Sequence, residues 1–518
     1  MQISLKRIIP FGIFILMVFL SHFKTWNDLP RGLHAWGQSD RYAISQRYTE
    51  TGMDIFTVST FNMASENGRT GAELPLSQYI AASLAQLGLQ PYLPFLNKLI
   101  NLLIFSLGFF AFVRSFKIDD VWLQSVLIVL VMSSPVLMFY AYNFLPDAAG
   151  LGFVLYGYAL LLRYRDNQAM RWIYIMLAVG TLGALIKLST AIYLMANLLF
   201  VAIALLRTKS WKKLSTLLVG GIASAVIIGA YVQYGMIAVN ERFWSVVFRA
   251  HANPISSISD FSDVILGMAY WRTEYLSILT SIVVLLLLIV LIVKIVKKQI
   301  VLRWDGMLFH TLIVCLGLFL FIMVLGKQFV HHDYYIIATF LPLIFMGIYW
   351  FAKHGLPKVN IHPGLLRLLI TLPAILYFYS TPSKNHRRLG DPYKMRKHVV
   401  HNYTNNLNGA SEASIKAGIA EDDLIFVMYT EAPNLPLVYF NRKGMCFNAE
   451  ELARKEPFVE YWLRKLEPAF IICPGSTFKE FERDQNDLLE NLKPIQVEGD
   501  FIILKRKQPW HEYLPPEE

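Results

Sequence analysis

The chain has 518 residues, of which 55% are hydrophobic and only 16% are charged, and its mean hydropathy is +0.43. A composition this apolar excludes an ordinary soluble enzyme and indicates an integral membrane protein whose surroundings are the lipid bilayer. The formal net charge of +11 does not indicate a nucleic-acid partner, because Lys and Arg gather in short loops between apolar segments, which is a topology signal.

Apolar segments long enough to cross about 30 Å of hydrocarbon recur along the chain. The first follows Lys6 and Arg7 as in a signal peptide, but no small-x-small cleavage pattern comes after it, so we interpret it as an uncleaved membrane helix. The fold class that we expect is mainly α, a polytopic membrane protein with about eleven transmembrane helices. The predicted spans are 8–22, 97–113, 121–140, 148–162, 172–186, 188–206, 214–236, 276–293, 306–326, 334–352 and 364–380.

Basic residues fix the predicted orientation of these spans. With the N-terminus in the cytoplasm, every second connection is basic, as the positive-inside rule requires. The segment 74–90 is also apolar, but it carries Ser77, Gln78, Ser83 and Gln86, and a crossing there would move the later basic loops outside. We predict that it is an amphipathic helix in the outer interface. The basic internal connections contain Arg114 and Lys117; Arg163, Arg165 and Arg171; Arg207, Lys209, Lys212 and Lys213; Lys294, Lys297, Lys298 and Arg303; Lys353 and Lys358.

The C-terminal part, 381–518, is predicted to be a separate soluble domain outside the cytoplasm, following a membrane domain over 1–380. Strand-like runs at 424–428, 469–473 and 501–504 alternate with helix-like stretches such as 449–466, which indicates a small α/β unit. Its two cysteines, Cys446 and Cys473, could pair in an oxidising compartment. The tail contains no nucleotide-binding loop and no Cys/His set with metal spacing.

The first external loop, 23–96, holds the densest group of polar residues. Asp40 stands there with Arg41 and Tyr42, and Glu73 closes the loop in the run Glu73-Leu-Pro75. The pattern predicts a helix over 39–48, with Asp40 at its start. Asp40 is then either a carboxylate that takes part in a reaction at the membrane surface or only a helix cap.

Two short external corners add a carboxylate and a cation. Asp147 follows Pro146 directly before the fourth span, a sequence that is also an ordinary helix N-terminus. Lys187 interrupts an apolar stretch, where a lysine must pair, reach the interface or bind an anion.

The corner 327–335 is the most crowded of the external connections. His331, His332, Asp333 and Tyr334 lie between two apolar spans, and they are candidates for substrate binding or, less favoured, for a divalent metal ion. The tyrosines fit an interfacial aromatic belt equally well. The long loop 237–274 adds Arg249 as a possible cationic partner.

The order of these features resembles the GT-C membrane glycosyltransferases of the protein mannosyltransferase and aminoarabinose transferase group, which is glycosyltransferase family 39-like. The resemblance covers residues 8–380: one span, an outer loop with an early Asp, a Glu-x-Pro element, a Pro-Asp corner, a lone Lys and a His-Asp-Tyr-Tyr corner. It implies an inverting hexosyl- or pentosyl-transferase that moves a sugar from a polyprenyl-phosphate carrier to an extracytoplasmic acceptor, which is lipid A, a glycan or a protein.

The resemblance also implies site residues. The catalytic acid of the family falls on Asp40, its second element on Glu73 and Pro75, and its Pro-Asp position on Asp147. Unlike the eukaryotic members, which carry an Asp-Glu pair, this chain has Arg41 after Asp40.

The chemistry of the residues agrees with this resemblance. Inverting transfer needs a carboxylate that takes the acceptor's proton, here Asp40, and cations that hold the departing phosphate. Lys187, Arg249 and the pair His331 and His332 are candidates for the phosphate, and Arg41, Tyr42, Asp333 and Tyr334 for further substrate contacts. No cofactor is certain, and a divalent cation is possible.

Two alternatives stay open at this point. A polymerase or ligase of polyprenyl-linked glycans would use the same chemistry. A lipid-linked sugar transporter or flippase would need charges near the bilayer midplane and repeated halves, whereas here the predicted midplane is nearly free of charges and we see no internal repeat. For the glycosyltransferase, we expect a multi-pass protein of the bacterial inner membrane, with its active site and tail on the extracytoplasmic side.

Overall fold

The computed structural model describes residues 5–245, 247–248, 253–297, 306–354, 363–390, 407–453, 458–498 and 501–514. Within these residues the chain is mostly helical, with one small sheet near the C-terminus. The chain divides into two compact units. Unit 1 comprises 1–26, 98–232 and 250–388, and unit 2 comprises 27–97, 233–249 and 389–518.

Helices cover all the segments that the sequence predicts to be spans. The helices up to residue 390 are α1 (Leu5–His22), α2 (Ala35–Thr51), α3 (Leu76–Leu84), α4 (Leu93–Ser115), α5 (Val121–Met132), α6 (Pro135–Ala141), α7 (Asp147–Asn167), α8 (Arg171–Ile186), α9 (Ala191–Arg207), α10 (Trp211–Ala230), α11 (Ala238–Arg242), α12 (Ile258–Tyr270), α13 (Arg272–Tyr275), α14 (Ile278–Val296), α15 (Met307–Leu325), α16 (Tyr335–His354) and α17 (Pro363–Gly390).

Five helices in the described part of the chain are long and apolar enough to cross a membrane, or up to six if each bent pair is one span. The chain is a multi-pass membrane protein, and eleven crossings remain a prediction. The bent pair is α5 and α6, which meet at 88°. Ser134 caps α6 by accepting a hydrogen bond from the N–H of Leu137, and Pro135 occupies the first helical position, where it needs no N–H partner.

Unit 1 packs its helices through small residues and buried polar contacts, as membrane helices do. A Cβ on Gly108 of α4 would fall 1.8 Å from the carbonyl oxygen of Gly152 on α7, so this close crossing requires glycine. The imidazole Nε2 of His310 on α15 lies 2.8 Å from Oδ1 of Asn197 on α9. Ser133 donates a 3.0 Å hydrogen bond to Ser277.

The helix predicted over 74–90 is α3, which is shorter than expected and belongs to unit 2. Its polar residues Ser77 and Gln78 are buried within that unit. The chain leaves regular α-helix at 85–89, where Gly88 has a φ of 93°. Its location at the membrane interface remains a prediction.

The tail contributes a five-stranded mixed sheet to unit 2. The strands β1 (Ile425–Val427), β2 (Gly444–Cys446), β3 (Phe470–Pro474), β4 (Leu492–Glu498) and β5 (Phe501–Arg506) take the order β2-β1-β3-β5-β4. β1 is parallel to β2 and β3, whereas β5 is antiparallel to β3 and β4. The tail helices are α18 (Ala410–Lys416), α19 (Leu435–Phe440), α20 (Ala449–Ala453), α21 (Phe458–Leu466), α22 (Phe478–Asp484), α23 (Asn486–Glu490) and α24 (Trp510–Tyr513).

The predicted small α/β unit is therefore present, with β2 and β4 as strands that the sequence pattern did not indicate. The long helix predicted over 449–466 begins as α20 and ends as α21, and 454–457 lie outside the described residues. Cys446 on β2 and Cys473 on β3 are both buried and free, so the pairing that the sequence left open is not formed in this structure.

The first external loop and the tail belong to the same unit. The N–H of Met63 donates to the carbonyl oxygen of Gly444 at 2.7 Å, and the N–H of Gly444 donates to Phe61 at 3.0 Å. These bonds place residues 61–63 parallel to β2 at the edge of the sheet. Ala64 completes the contact by packing into the apolar core of the tail.

Candidate active-site residues

Asp40 lies on α2, which begins four residues earlier than the sequence indicated. Gln38 donates hydrogen bonds to the carbonyl oxygens of Arg31 at 3.1 Å and Leu33 at 2.8 Å, and these contacts fix the turn that leads into the helix. His34 occupies the capping position with a φ of 56°. Asp40 is thus inside the second turn of the helix, and the alternative that it merely caps the helix is wrong.

The carboxylate of Asp40 is buried, with 5% of the residue exposed. Burial raises its pKa to about 7, while hydrogen bonds from Asn434 and Trp36 and the positive charge of Arg41 act in the opposite direction. The bond from Asn434 joins its Nδ2 to Asp40 Oδ1 at 2.8 Å. A carboxylate with a pKa near neutrality is suited to general base catalysis at neutral pH.

Arg41 and Glu73 form an ion pair beside Asp40 on the chain. Nη2 of Arg41 lies 2.8 Å from Oε2 of Glu73, and both side chains are largely buried. The guanidinium also lies 4.6 Å from the ring centre of Phe248. Tyr42 is buried, and burial raises its pKa. The catalytic role of Glu73 and the substrate roles of Arg41 and Tyr42 remain predictions.

In unit 1, three corners that were predicted from separate connections meet. Asp147 is the first residue of α7, and Lys187 occupies the break between α8 and α9 in an extended conformation. Nζ of Lys187 lies 3.2 Å from Oδ1 of Asp147 and 5.7 Å and 5.2 Å from the ring centres of Tyr334 and Tyr335. Lys187 therefore pairs with a carboxylate, as a lysine inside an apolar stretch must, and its contact with the phosphate of a substrate stays a prediction.

Gly150 makes this approach possible. A Cβ at that position would fall 2.9 Å from Cβ of Lys187 and 3.2 Å from Cγ2 of Thr190. The glycine lies one turn after Asp147 on α7, so it admits the backbone at Lys187 next to the carboxylate.

Asp333 belongs to a second ion-pair network in unit 1. Its Oδ2 accepts a 2.7 Å hydrogen bond from Nη1 of Arg388, and its Oδ1 accepts a 3.0 Å bond from the hydroxyl of Tyr140. Nε of Arg388 donates to Glu274 at 3.0 Å. Because the side chains of Asp333 and Arg388 are fully buried, these contacts indicate a structural role for Asp333, and its predicted contact with substrate stays a prediction.

His331 is exposed, and His332 is partly buried with its Nδ1 3.2 Å from the hydroxyl of Tyr334. No group of three or more His, Cys, Asp or Glu side chains among the described residues could hold a metal ion. A requirement for a divalent cation remains a prediction. Arg249 lies outside the described residues.

Sequence reasoning missed Asn434 and Arg388. Asn434 lies in the run Ala-Pro-Asn-Leu-Pro, which gives no signal for a contact almost four hundred positions away along the chain. Arg388 did leave a signal. Lys384, Arg387 and Arg388 follow the last span on the side predicted to be external, where the positive-inside rule disfavours cations, but this exception does not separate the buried Arg388 from the exposed Arg387.

The helices, their polar corners and the small mixed sheet define a membrane protein of the GT-C fold, and comparison with solved structures supports that class over nearly the whole chain. The resemblance seen in the sequence is thereby confirmed for the fold. No protein family model and no curated protein matches the sequence.

Among the similar structures is the apo crystal structure of ArnT from Cupriavidus metallidurans, with a TM-score of 0.58, 13% identity, and coverage of 98% of this chain and 99% of that one. ArnT of the same organism bound to undecaprenyl phosphate gives a TM-score of 0.57 with the same identity and coverage. An oligosaccharyltransferase from Archaeoglobus fulgidus, in complex with Zn and sulfate, gives 0.50 at 12% identity and covers 94% of this chain and 71% of its own.

Proposed function

We propose that the protein is an inverting glycosyltransferase that moves a sugar from a polyprenyl-phosphate donor to an acceptor outside the cytoplasm, in the inner membrane of a bacterium. The observation that carries the proposal is the buried carboxylate of Asp40, whose pKa of about 7 suits a base that works near neutral pH. The GT-C fold and an ArnT structure that binds undecaprenyl phosphate support the donor class.

In the proposed reaction, Asp40 accepts the proton of the acceptor hydroxyl while the oxygen bonds to the anomeric carbon of the sugar. The bond between that carbon and the phosphate oxygen breaks on the opposite face, and the polyprenyl phosphate leaves with the electron pair. The configuration at the anomeric carbon is therefore inverted. We assign the stabilisation of the phosphate to Lys187, with Arg249, His331 and His332 as further candidates.

The test replaces Asp40 by Asn, which keeps its size and most of its hydrogen bonding but removes the base. We expect transfer from a polyprenyl-phosphate sugar to fall by about 10²- to 10⁴-fold in membranes with equal amounts of protein. The matched control is Asp54→Asn, which changes an exposed carboxylate of the same loop and should leave transfer unchanged.

Near-normal turnover of Asp40→Asn would refute the base assignment and turn attention to Glu73 and Asp147. The anomeric configuration of the product, read by NMR, tests inversion separately. Retention would contradict the single-displacement reaction even if Asp40 proved essential.

A further inference from the structure

Asn434 of the tail is in direct contact with Asp40, and its amide orientation is fixed. The residue is fully buried and precedes α19. Its Oδ1 accepts a 2.9 Å hydrogen bond from the backbone N–H of Asn62. Only the oxygen of the side-chain amide can accept this bond, because the amino group is a donor. The amino group must therefore face Asp40, where Nδ2 donates to Oδ1 at 2.8 Å.

The partner of Asn434 is itself held in place from both ends. Nδ2 of Asn62 donates to the carbonyl oxygen of Pro433 at 3.0 Å, and Oδ1 of Asn62 accepts from the N–H of Ala64 at 2.9 Å. The two asparagines thus join residues 433–434 of the tail to 62–64 of the first loop. Since 61–63 also pair with β2, Asn434 is anchored through the edge of the sheet.

We propose that Asn434 is a positioning residue for Asp40, which orients the carboxylate and keeps it ionisable for proton transfer. The proposal rests on the proposed function of Asp40 as the base. Besides Trp36 of the same helix, this rigid amide gives the buried carboxylate a neutral donor, and a neutral donor stabilises the charged form without neutralising it as a cation would.

The charged and titratable groups around Asp40 do not replace this donor. Arg41, on the same helix, is committed to Glu73. Cys446 of β2 interacts electrostatically with Asp40, and burial keeps the pKa of that thiol far above its usual value, so it is neutral. Asn434 is therefore the hydrogen-bond donor of the tail that weakens the hold of Asp40 on its proton, against the effect of burial.

The experiment measures the pH dependence of kcat/KM for transfer by the full-length enzyme. Asn434→Ala removes a donor that stabilises the ionised carboxylate, so the pKa of Asp40 should rise. The midpoint of the acid limb of the profile should then move to a pH higher by about one unit, with activity recovering towards alkaline pH. Asn434→Asp keeps the volume and can still accept from the N–H of Asn62, but it places a second carboxylate beside Asp40. The midpoint of the acid limb of the Asn434→Asp variant should also move to higher pH. This second variant keeps the test valid if the alanine variant does not fold.

The matched control is Asn491→Ala, which removes another buried asparagine of the same unit, one that donates to the carbonyl oxygen of Gln508 at 3.1 Å. It should lower stability without moving the pH midpoint. An unmoved midpoint in both Asn434 variants, with activity falling only in proportion to folded protein, would overturn the positioning role.

The inference and the proposed function fail in different ways. If Asp40→Asn abolishes transfer while the Asn434 variants keep the wild-type midpoint, only the inference is lost. If Asp40→Asn retains transfer, the proposed function is lost as well. In the Asp40→Asn background, Asn434→Ala should have no further effect on the rate, since the group through which it acts is gone.

Discussion

Asp40 makes the folded state less stable at the pH where it would act as a base. Burial raises its pKa from 3.8 to about 7, so the folded state binds a proton more tightly than the unfolded chain does. Its contribution to stability is fully present below about pH 4 and is lost as the pH rises through about 7. Above that value an ionised Asp40 destabilises the protein, by up to roughly 4 kcal/mol.

We therefore predict that Asp40→Asn raises the unfolding temperature of the detergent-solubilised protein more at pH 8 than at pH 5, because the cost of ionising the buried carboxyl grows from about pH 4 to about pH 7. Asp54→Asn is the control, and we expect it to change the unfolding temperature in the opposite direction. Hydrogen bonds from Thr57 and the N–H of Phe56 lower the pKa of that exposed carboxylate, so its loss should lower the unfolding temperature at both pH values. Thermal unfolding at the two pH values measures both variants. An Asp40→Asn protein that is no more stable than wild type at pH 8 contradicts the raised pKa.

Gly150 allows a second prediction about one residue. Gly150→Ala should displace Lys187 from Asp147, because its Cβ would lie 2.9 Å from Cβ of Lys187, and the expected cost is about 1–3 kcal/mol together with reduced transfer. Gly157→Ala on the same helix is the matched control, since its Cβ would meet Nδ2 of Asn197 at an ordinary 3.7 Å. Equal thermal stability and turnover for the two variants would show that the contact at Lys187 is not needed.

At the scale of elements, the sequence predicts what depends on local composition. Long apolar runs located the long helices of unit 1, and short apolar runs located β1, β3 and β5. The strand β2 was missed because it begins with glycine directly after Arg442 and Lys443 and so lacks the apolar run that marks β1. The start of α2 was placed too late because it depends on the hydrogen bonds of Gln38, which the spacing of apolar residues does not show.

The residues of the candidate site also fall into two groups, those that the local sequence indicates and those that only long-range contacts reveal. Asp147 and Lys187 became candidates because a charged residue beside or inside an apolar segment is costly, and Asp40 because it lies among the dense polar residues of the first loop. Asn434 and Asn62 are neutral, and their role depends on a long-range hydrogen bond between two connections. No spacing rule finds such a pair in a single sequence.

The pairing of residues 61–63 with β2 leads to a prediction for this element. Met63→Pro removes the N–H that donates to Gly444, and proline cannot supply a ladder hydrogen bond, so the first loop should become sensitive to limited proteolysis and transfer should fall. Met63→Ala keeps the N–H and is the matched control. A proline variant as resistant and active as the alanine variant would show that the edge pairing does not hold the loop.

At the scale of the whole molecule, unit 2 constrains the topology. Three separate stretches of chain, 27–97, 233–249 and 389–518, belong to it, and hydrogen bonds join the first to each of the others, from Gly71 to Asn240 and from Met63 to Gly444, so we expect them to lie on one side of the membrane. The number of crossings between consecutive stretches must then be even. The predicted spans meet this condition, with six between the first two stretches and four between the last two.

This parity leads to a prediction for reporter fusions. Reporters after Gly52 and after Gly390 should both lie outside the cytoplasm, because the hydrogen bond between Asp40 and Asn434 requires the two loops on the same side. A reporter after Lys297 should lie inside, since an odd number of predicted spans separates it from Gly390 and the basic cluster around it favours the cytoplasm. Alkaline phosphatase and green fluorescent protein fusions give opposite signals for each side. If the Gly52 and Gly390 reporters fell on different sides, the contact of the tail with Asp40 could not form. If the Lys297 and Gly390 reporters fell on the same side, the eleven-span arrangement would be wrong, but the contact with Asp40 would not be affected.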